Sequence, residues 1–282
     1  MQKVLLIGGS GMLGSDLKKV FQTSSKIQLL APTHSECDIT NLDQVKKIVD
    51  QFGPKVLINS AAYNFVDQAE DDAIQAFQIN AEGPKILAQL CQEKGIKLIH
   101  YSTDYVFDGS KNIPYVEEDL THPLSIYGES KEKGEKNIQK YCEDYLILRV
   151  AWLFGAHGKN FIKTILKLAQ EKEVISVVND QVGSPTSTID LAQATFSLIK
   201  EKIPSGIYHV VNSGFCSWYE LACEAISLAL GKKNIKAISS SHYPTKAKRP
   251  FYTVLSTQKI NAFGFISMPS WQEALKIFLN GN

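Results

Sequence analysis

Three glycines, Gly8, Gly11 and Gly14, stand three residues apart directly after the apolar run at 4–7, and they limit the fold of this chain more than any other feature. Residues 12–21 then carry apolar side chains at helical spacing, so the order is strand, glycine turn, helix. Glycines at these intervals let the backbone turn tightly, approach a pyrophosphate and pack the helix on the strand. A turn that only starts a helix would use some of the same residues. The position at the N-terminal end, between strand and helix, is the context a dinucleotide site requires.

The pattern continues. Residues 27–31, 55–59, 97–102 and 145–150 read as further strands, with helical sequence between them. Strands alternating with helices argue for an α/β fold, a Rossmann-type doubly wound parallel sheet binding its ligand at the carboxyl ends of the strands. Gly8, Ala61, Thr103 and Trp152 all fall at those ends. After Gly155 the character changes: helical patterns at 161–170, 189–199 and 218–230 alternate with short apolar runs at 174–178 and 207–211. The expectation is an NAD(P)-binding domain over 1–152 and a smaller, mostly helical substrate-binding region over 153–282. Some segments of the second return to the first, and substrate lies between them.

The chemistry concentrates around Tyr127 and Lys131. If 127–135 is helical, these side chains share one face, one turn apart. An ammonium beside a phenol would stabilise the phenolate and lower its pKa, making Tyr127 a general acid near neutral pH. Thr103 ends the buried strand and could share a substrate oxygen with it. A Tyr-xxx-Lys pair also arises by chance on solvated helix faces. Ser60, Ala61 and Ala62 are small enough for a cofactor to approach the backbone before Tyr63. After the second strand, at Ala31-Pro32, no acid awaits a ribose 2′-hydroxyl, whereas Thr33, His34 and Ser35 can donate hydrogen bonds. That leans towards NADPH, with His34 near its 2′-phosphate, and leaves NADH open. His100 and His209, inside apolar runs, read as core histidines.

Composition narrows the partners. With 282 residues, a net charge of +1, 44% hydrophobic and 21% charged residues, the chain has no electrostatic footprint for nucleic acid. No segment approaches the ~20 apolar residues that span a bilayer. Five cysteines without a CxxC pair suggest neither a disulfide framework nor zinc, and point to free thiols in a cytoplasmic protein.

Together, Gly8-xx-Gly11-xx-Gly14, Asn59-Ser60-Ala61-Ala62-Tyr63, Ser102-Thr103-Asp104-Tyr105-Val106-Phe107-Asp108-Gly109 and Tyr127-xxx-Lys131 resemble the extended short-chain dehydrogenase/reductases. Val66-Asp67-xx-Glu70, Arg149-xx-Trp152, Asn179-Asp180-Gln181-xx-Ser184-Pro185-Thr186, Gly206-Ile207-Tyr208-His209 and Arg249-Pro250 extend the resemblance through nearly the whole chain, towards the members that act on sugar nucleotides. It implies NAD(P)H-dependent reduction of a 4-keto group in a dTDP-linked sugar, dTDP-4-dehydro-L-rhamnose, with Tyr127 as acid, Lys131 on the nicotinamide ribose and Thr103 on the sugar oxygen. Cofactor positions implied by it are Gly11, Met12, Leu13, Asp38, Ile39, Ala61, Ala62, Tyr63, Tyr101, Tyr127 and Lys131. Sugar-nucleotide positions are Val66, Thr103, Asp104, Tyr105 and Trp152, with Arg249 for the diphosphate. Some members form a homodimer bridged by Mg²⁺ through acidic side chains. Here Asp16 stands near one such position and Ile189 at another, so no metal ligand is assigned and both Mg²⁺ and the homodimer stay open. A 4,6-dehydratase would need a second acid where Tyr105 stands. An epimerase, or a regulatory subunit that binds NADP without chemistry, remains the alternative.

Overall fold

The computed structural model of the chain describes residues 1–201 and 203–281; positions 202 and 282, both in the expected second region, lie outside the described residues. The first half runs β1 (Gln2–Ile7), α1 (Met12–Gln22), β2 (Ile27–Leu30), α2 (Leu42–Phe52), β3 (Val56–Asn59), α3 (Val66–Ala69), α4 (Ala73–Phe77), α5 (Gly83–Lys94), β4 (Lys97–Thr103), α6 (Ile126–Tyr141) and β5 (Tyr145–Val150). The second contains β6 (Leu153–Phe154), α7 (Phe161–Glu171), β7 (Val174–Val178), β8 (Val182–Gly183), β9 (Thr186–Ser187), α8 (Thr188–Lys200), β10 (Gly206–His209), β11 (Cys216–Ser217), α9 (Trp218–Leu230), β12 (Asn234–Ile238), α10 (Gln258–Asn261) and α11 (Trp271–Asn280).

Six strands form one parallel sheet in the order β10-β5-β4-β3-β1-β2. Both faces are covered, so the strands carry near-continuous apolar runs instead of a strict alternation with polar residues. Val4 and Leu6 of β1 pack under α1 and α8 with Leu13, Leu17 and Leu198, while Leu5 and Ile7 point to the other face, towards Val45, Leu87 and Ile138. The order of strands reverses between β1 and β3, which opens a crevice at their carboxyl ends. Two segments beyond residue 152 complete this layer: α8 joins α1 in the same core, and β10 hydrogen-bonds along β5.

The remaining segments are built from short pieces. β7 and β12 pair in parallel under α7 and α9, and two-residue strands join β6 to β9 and β8 to β11. Capping boxes at Ser217/Glu220 and Ser270/Glu273 start α9 and α11, satisfying backbone donors that a helix end otherwise exposes. Among the described residues no helix is long and apolar enough to cross a membrane.

Candidate active site

A cleft of about 540 Å³ runs along the carboxyl ends of the central strands. Its floor is the glycine turn. Gly8 has a φ of 79°, and a Cβ there would meet Ala61 N at 2.5 Å; one on Gly14 would meet Gly8 O at 2.1 Å. Only glycine permits this approach between β1, α1 and the turn after β3. The N-cap of α1 is Gly11, which has no side chain to cap with, and no acid stands in the first turn. The free backbone N–H groups therefore face the cleft as an anion site.

α6 carries the tyrosine and lysine. Ser125 caps it by accepting from Gly128 N at 3.2 Å, and Glu70 Oε1 accepts from Ile126 N at 2.9 Å, so the helix starts immediately before Tyr127. Four residues on, Lys131 is buried: Nζ donates to Tyr101 O at 2.6 Å and lies 3.3 Å from His100 Nε2. Glu135, a turn further, accepts two hydrogen bonds from Arg149 of β5, at 2.9 and 2.7 Å, in a buried ion pair that fixes the helix on the sheet. A π-helical turn at Gln78–Glu82 supplies a further anchor. Its Asn80 accepts from Tyr63 N and donates to Tyr63 O and Ser130 Oγ, tying α6 to the loop after β3.

The electrostatics correct one expectation. The sequence spacing predicts that Lys131 lowers the pKa of Tyr127, but among the described residues no hydrogen bond joins Lys131 Nζ to that phenol. Burial pushes Tyr127 up to about 12, with the Thr103 hydroxyl beside it pulling it back and Asp104 adding to the rise. The phenol is thus a held proton in this state of the protein. Burial also draws the Lys131 ammonium down to about 8, against the attraction of Glu135. Asp104 is pushed up to about 6 by burial, against the pull of the Thr253 and Thr103 hydroxyls near it. Thr103 Oγ1 donates to Asp104 Oδ1 at 3.1 Å.

Most positions singled out in the sequence meet at this cleft. Gly8, Gly11, Met12, Leu13 and Gly14 line one end, with His34, Asp38 and Ile39 beside them. Ala61, Ala62, Tyr101, Tyr127 and Lys131 form the middle, and Thr103, Asp104 and Trp152 the far end. Tyr63 does not line it. Its ring is buried against Phe65 at 5.8 Å, and its contribution is the backbone held by Asn80. Val66, at the start of α3, and Tyr105 also lie outside the lining, although Tyr105 packs edge-on against Tyr127 with ring centres 5.9 Å apart. Arg249 lines a second cleft, of about 310 Å³, with Trp218, Gln181, Tyr243 and Thr245. There its Nη2 donates to Asp67 Oδ2 at 2.9 Å.

A tryptophan pair stands between the two clefts. Trp152 has a φ of 47°, the one positive value among described non-glycine residues, and its ring stacks on Trp218 at 3.5 Å and 5°. A bulky residue is strained in that region of backbone space, and such strain persists where surrounding contacts hold it. Gly183 packs so closely on the Trp152 indole that a Cβ would lie 2.5 Å from Cε2. Sequence reasoning missed Trp218, Asn80 and the place of His100. Trp218 could have been sought as an aromatic at a helix start, but nothing local pairs it with Trp152.

The glycine cradle and uncapped helix end fit a nucleotide diphosphate. Among the described residues, Ser102 Oγ and Asp104 Oδ2 are buried along the cleft without a partner and leave polar atoms for a ligand to satisfy. Among the described residues no three His, Cys, Asp or Glu side chains converge as metal ligands would. Asp16 Oδ2 accepts from Thr188 Oγ1 at 2.5 Å, beside Ile189.

Sheet order, glycine turn and a buried Tyr-xxx-Lys at one crevice define a Rossmann-type fold of the short-chain dehydrogenase/reductase class. The chain belongs, more narrowly, to the RmlD substrate binding domain family, whose model matches residues 1–282. A dTDP-4-dehydrorhamnose reductase of Aggregatibacter actinomycetemcomitans is 40% identical, over 98% of this chain and 98% of that protein. Its counterpart in Escherichia coli K12 is 38% identical over 98% and 97%. The crystal structure of a dTDP-4-dehydrorhamnose reductase from Bacillus anthracis in complex with NADP superposes with a TM-score of 0.96, at 38% identity, covering both chains fully.

Proposed function

We propose that this chain is an NADPH-dependent reductase that converts the 4-keto group of dTDP-4-dehydro-L-rhamnose to the alcohol, giving dTDP-L-rhamnose. The observation that carries the reading is the meeting of Tyr127, Thr103 and Lys131 in a cleft whose other end is an anion-binding glycine turn. The full-length likeness to reductases of this substrate supports the choice of sugar nucleotide, and the relative crystallised with NADP supports the choice of cofactor.

When bound, the nicotinamide would supply a hydride to C4. The chain's own groups do the rest. Tyr127, kept protonated by its burial, gives its proton to the oxygen that gains charge. The Thr103 hydroxyl holds that oxygen in place. Lys131, as an ammonium, donates to the nicotinamide ribose. His34 faces the 2′-phosphate, and Asp104 holds the sugar. Arg249 and the Trp152–Trp218 stack grip the nucleotide end, with the diphosphate drawing Arg249 away from Asp67.

The division of labour follows the fold. Residues 1–152, with α8 and β10 completing their layer, hold the cofactor and present Thr103, Asp104 and Trp152 to the sugar nucleotide, which the other segments after 152 mainly bind. A reducing cytoplasm suits five free cysteines, four of them buried. Light scattering reads whether two copies pair: a homodimer gives twice the chain mass.

The decisive assay mixes purified protein, NADPH or NADH, and dTDP-4-dehydro-L-rhamnose. Loss of the reduced-nicotinamide absorbance with dTDP-rhamnose as product is the expected result, and the two rates rank the cofactors. Bound but unoxidised NADPH in the presence of intact substrate would overturn the reductase reading in favour of a binding subunit.

A further inference from the structure

The side chain of His100 sits inside a hydrogen-bond chain whose polarity can be read from one end. Ala61 N is a backbone amide and can only donate; Asn59 Oδ1 accepts from it at 3.1 Å. The other end of the Asn59 amide, Nδ2, is then turned to His100 Nδ1 at 3.0 Å. An amide nitrogen is a donor only, so Nδ1 must be the accepting nitrogen of the ring. Burial, with the charge of Lys131 adding to it, holds His100 well below the usual histidine range, so the ring is neutral. A neutral imidazole that accepts at Nδ1 carries its proton on Nε2. That N–H points at Lys131 Nζ, 3.3 Å away.

Facing an ammonium, Nε2–H sets donor against donor. Facing the lone pair of a free amine, it makes a hydrogen bond, while Tyr101 O accepts from the lysine in either state. We propose that Asn59 and His100 are a positioning pair that presents an N–H to Lys131 and so favours its uncharged amine in the free protein. All three side chains are buried, so water does not mask the mismatch. The other groups facing Lys131 are few. Glu135 on α6 favours the ammonium but is engaged by Arg149 of β5; Tyr127 on α6 is neutral; β4 offers His100 and a carbonyl; β3 offers the uncharged Asn59. The desolvation that already draws this lysine down acts in the same direction as the pair.

The functional consequence rests on the reductase reading above, in which Lys131 must be an ammonium during turnover. Activity is then lost as pH rises through the lysine's pKa. Removing the opposing N–H raises that pKa and moves the alkaline limb of kcat/KM upward. His100→Gln is the informative variant, because its amide can rotate to offer an oxygen to the ammonium. The limb is expected to move up by about one pH unit, close to tenfold in activity on the alkaline side. A limb that stays in place, in a variant that melts like the parent, overturns the proposal.

The pair is also testable without turnover. Histidine side-chain ¹⁵N NMR of the unmodified protein distinguishes the two neutral tautomers among its six histidines. Protonation of His100 on Nε2 is expected; protonation on Nδ1, or an imidazolium, overturns the proposal even if the enzyme is active. Asn59→Asp, which accepts from both Ala61 N and the ring, should switch the tautomer to Nδ1–H. If the chain fails to reduce the sugar nucleotide, the tautomer still decides the matter, so failure of one reading is separable from failure of the other.

Discussion

The sheet and the segments that cover its end are built by different rules. In the sheet, an unbroken run such as Lys97–Thr103 is buried along almost its whole length and delivers Thr103 to a fixed place, because hydrogen bonds on both sides set its register. In the covering segments the strands are two to five residues long, held by capping boxes, a Trp152–Trp218 stack and an Arg249–Asp67 contact that spans most of the chain. A rigid edge suits bond making, which tolerates little misplacement. A patchwork of short contacts suits recognition of a long, flexible ligand.

That contrast can be broken most sharply at Tyr127. Tyr127→Phe should lower kcat by about 10²–10⁴-fold while NADPH affinity, measured by fluorescence titration, stays within a few-fold. Equal losses in both would mean that the edge is not specialised. Trp218→Ala tests the other side. Unstacking Trp152 should raise KM for the sugar nucleotide about tenfold, with kcat and NADPH affinity little changed. A collapse of kcat instead would put chemistry in the covering segments.

Asp104, where the two regions meet, yields a stability signature. Its folded pKa is raised to about 6, so the folded protein holds a proton that the unfolded chain has released between about pH 4 and 6. The contribution of this carboxyl to stability is therefore full below about pH 4 and is lost as pH rises through about 6. Asp104→Asn, an uncharged isostere, should raise Tm by a few degrees at pH 7 and leave it unchanged near pH 4. The same gain at both values would remove the carboxylate as its cause. The smallest effect is expected at His34, at the rim of the cleft. His34→Asp should shift the ratio of kcat/KM for NADPH over NADH by about tenfold or less towards NADH, through charge repulsion in a solvated site. An unmoved ratio would place the 2′-phosphate elsewhere.

How much was legible in the sequence follows the same division. The strands, α1, α6 and the glycine turn follow periodicity and spacing that act within ten or fifteen residues, so Gly8, Ala61, Thr103 and Trp152 could be placed on one edge beforehand, and Tyr127 and Lys131 on one face of a helix. The tuning of the site could not. The pKa of Tyr127 depends on how deeply α6 is pressed onto the sheet, which the distant Glu135–Arg149 pair and Asn80 decide together. Tyr63, small-residue neighbours notwithstanding, turns its ring away because Asn80 seizes its backbone. Trp218 faces Trp152 only after the sheet and α9 have packed. In each case the missing information was a contact between elements, which no local pattern encodes.

The sixth strand bears on how the chain is made. Synthesis proceeds from the N-terminus, and every side chain proposed for proton transfer has left the ribosome by residue 131. Yet β5 keeps an open, apolar edge until β10 is synthesised more than fifty residues later, and α1 lacks its neighbour until α8 appears. During that interval the nascent protein is chemically equipped and physically unfinished, with a bare strand that could pair with another chain. That exposure is built into the order in which the strands follow one another along the chain, and a fragment ending at residue 152 should aggregate where the whole chain does not.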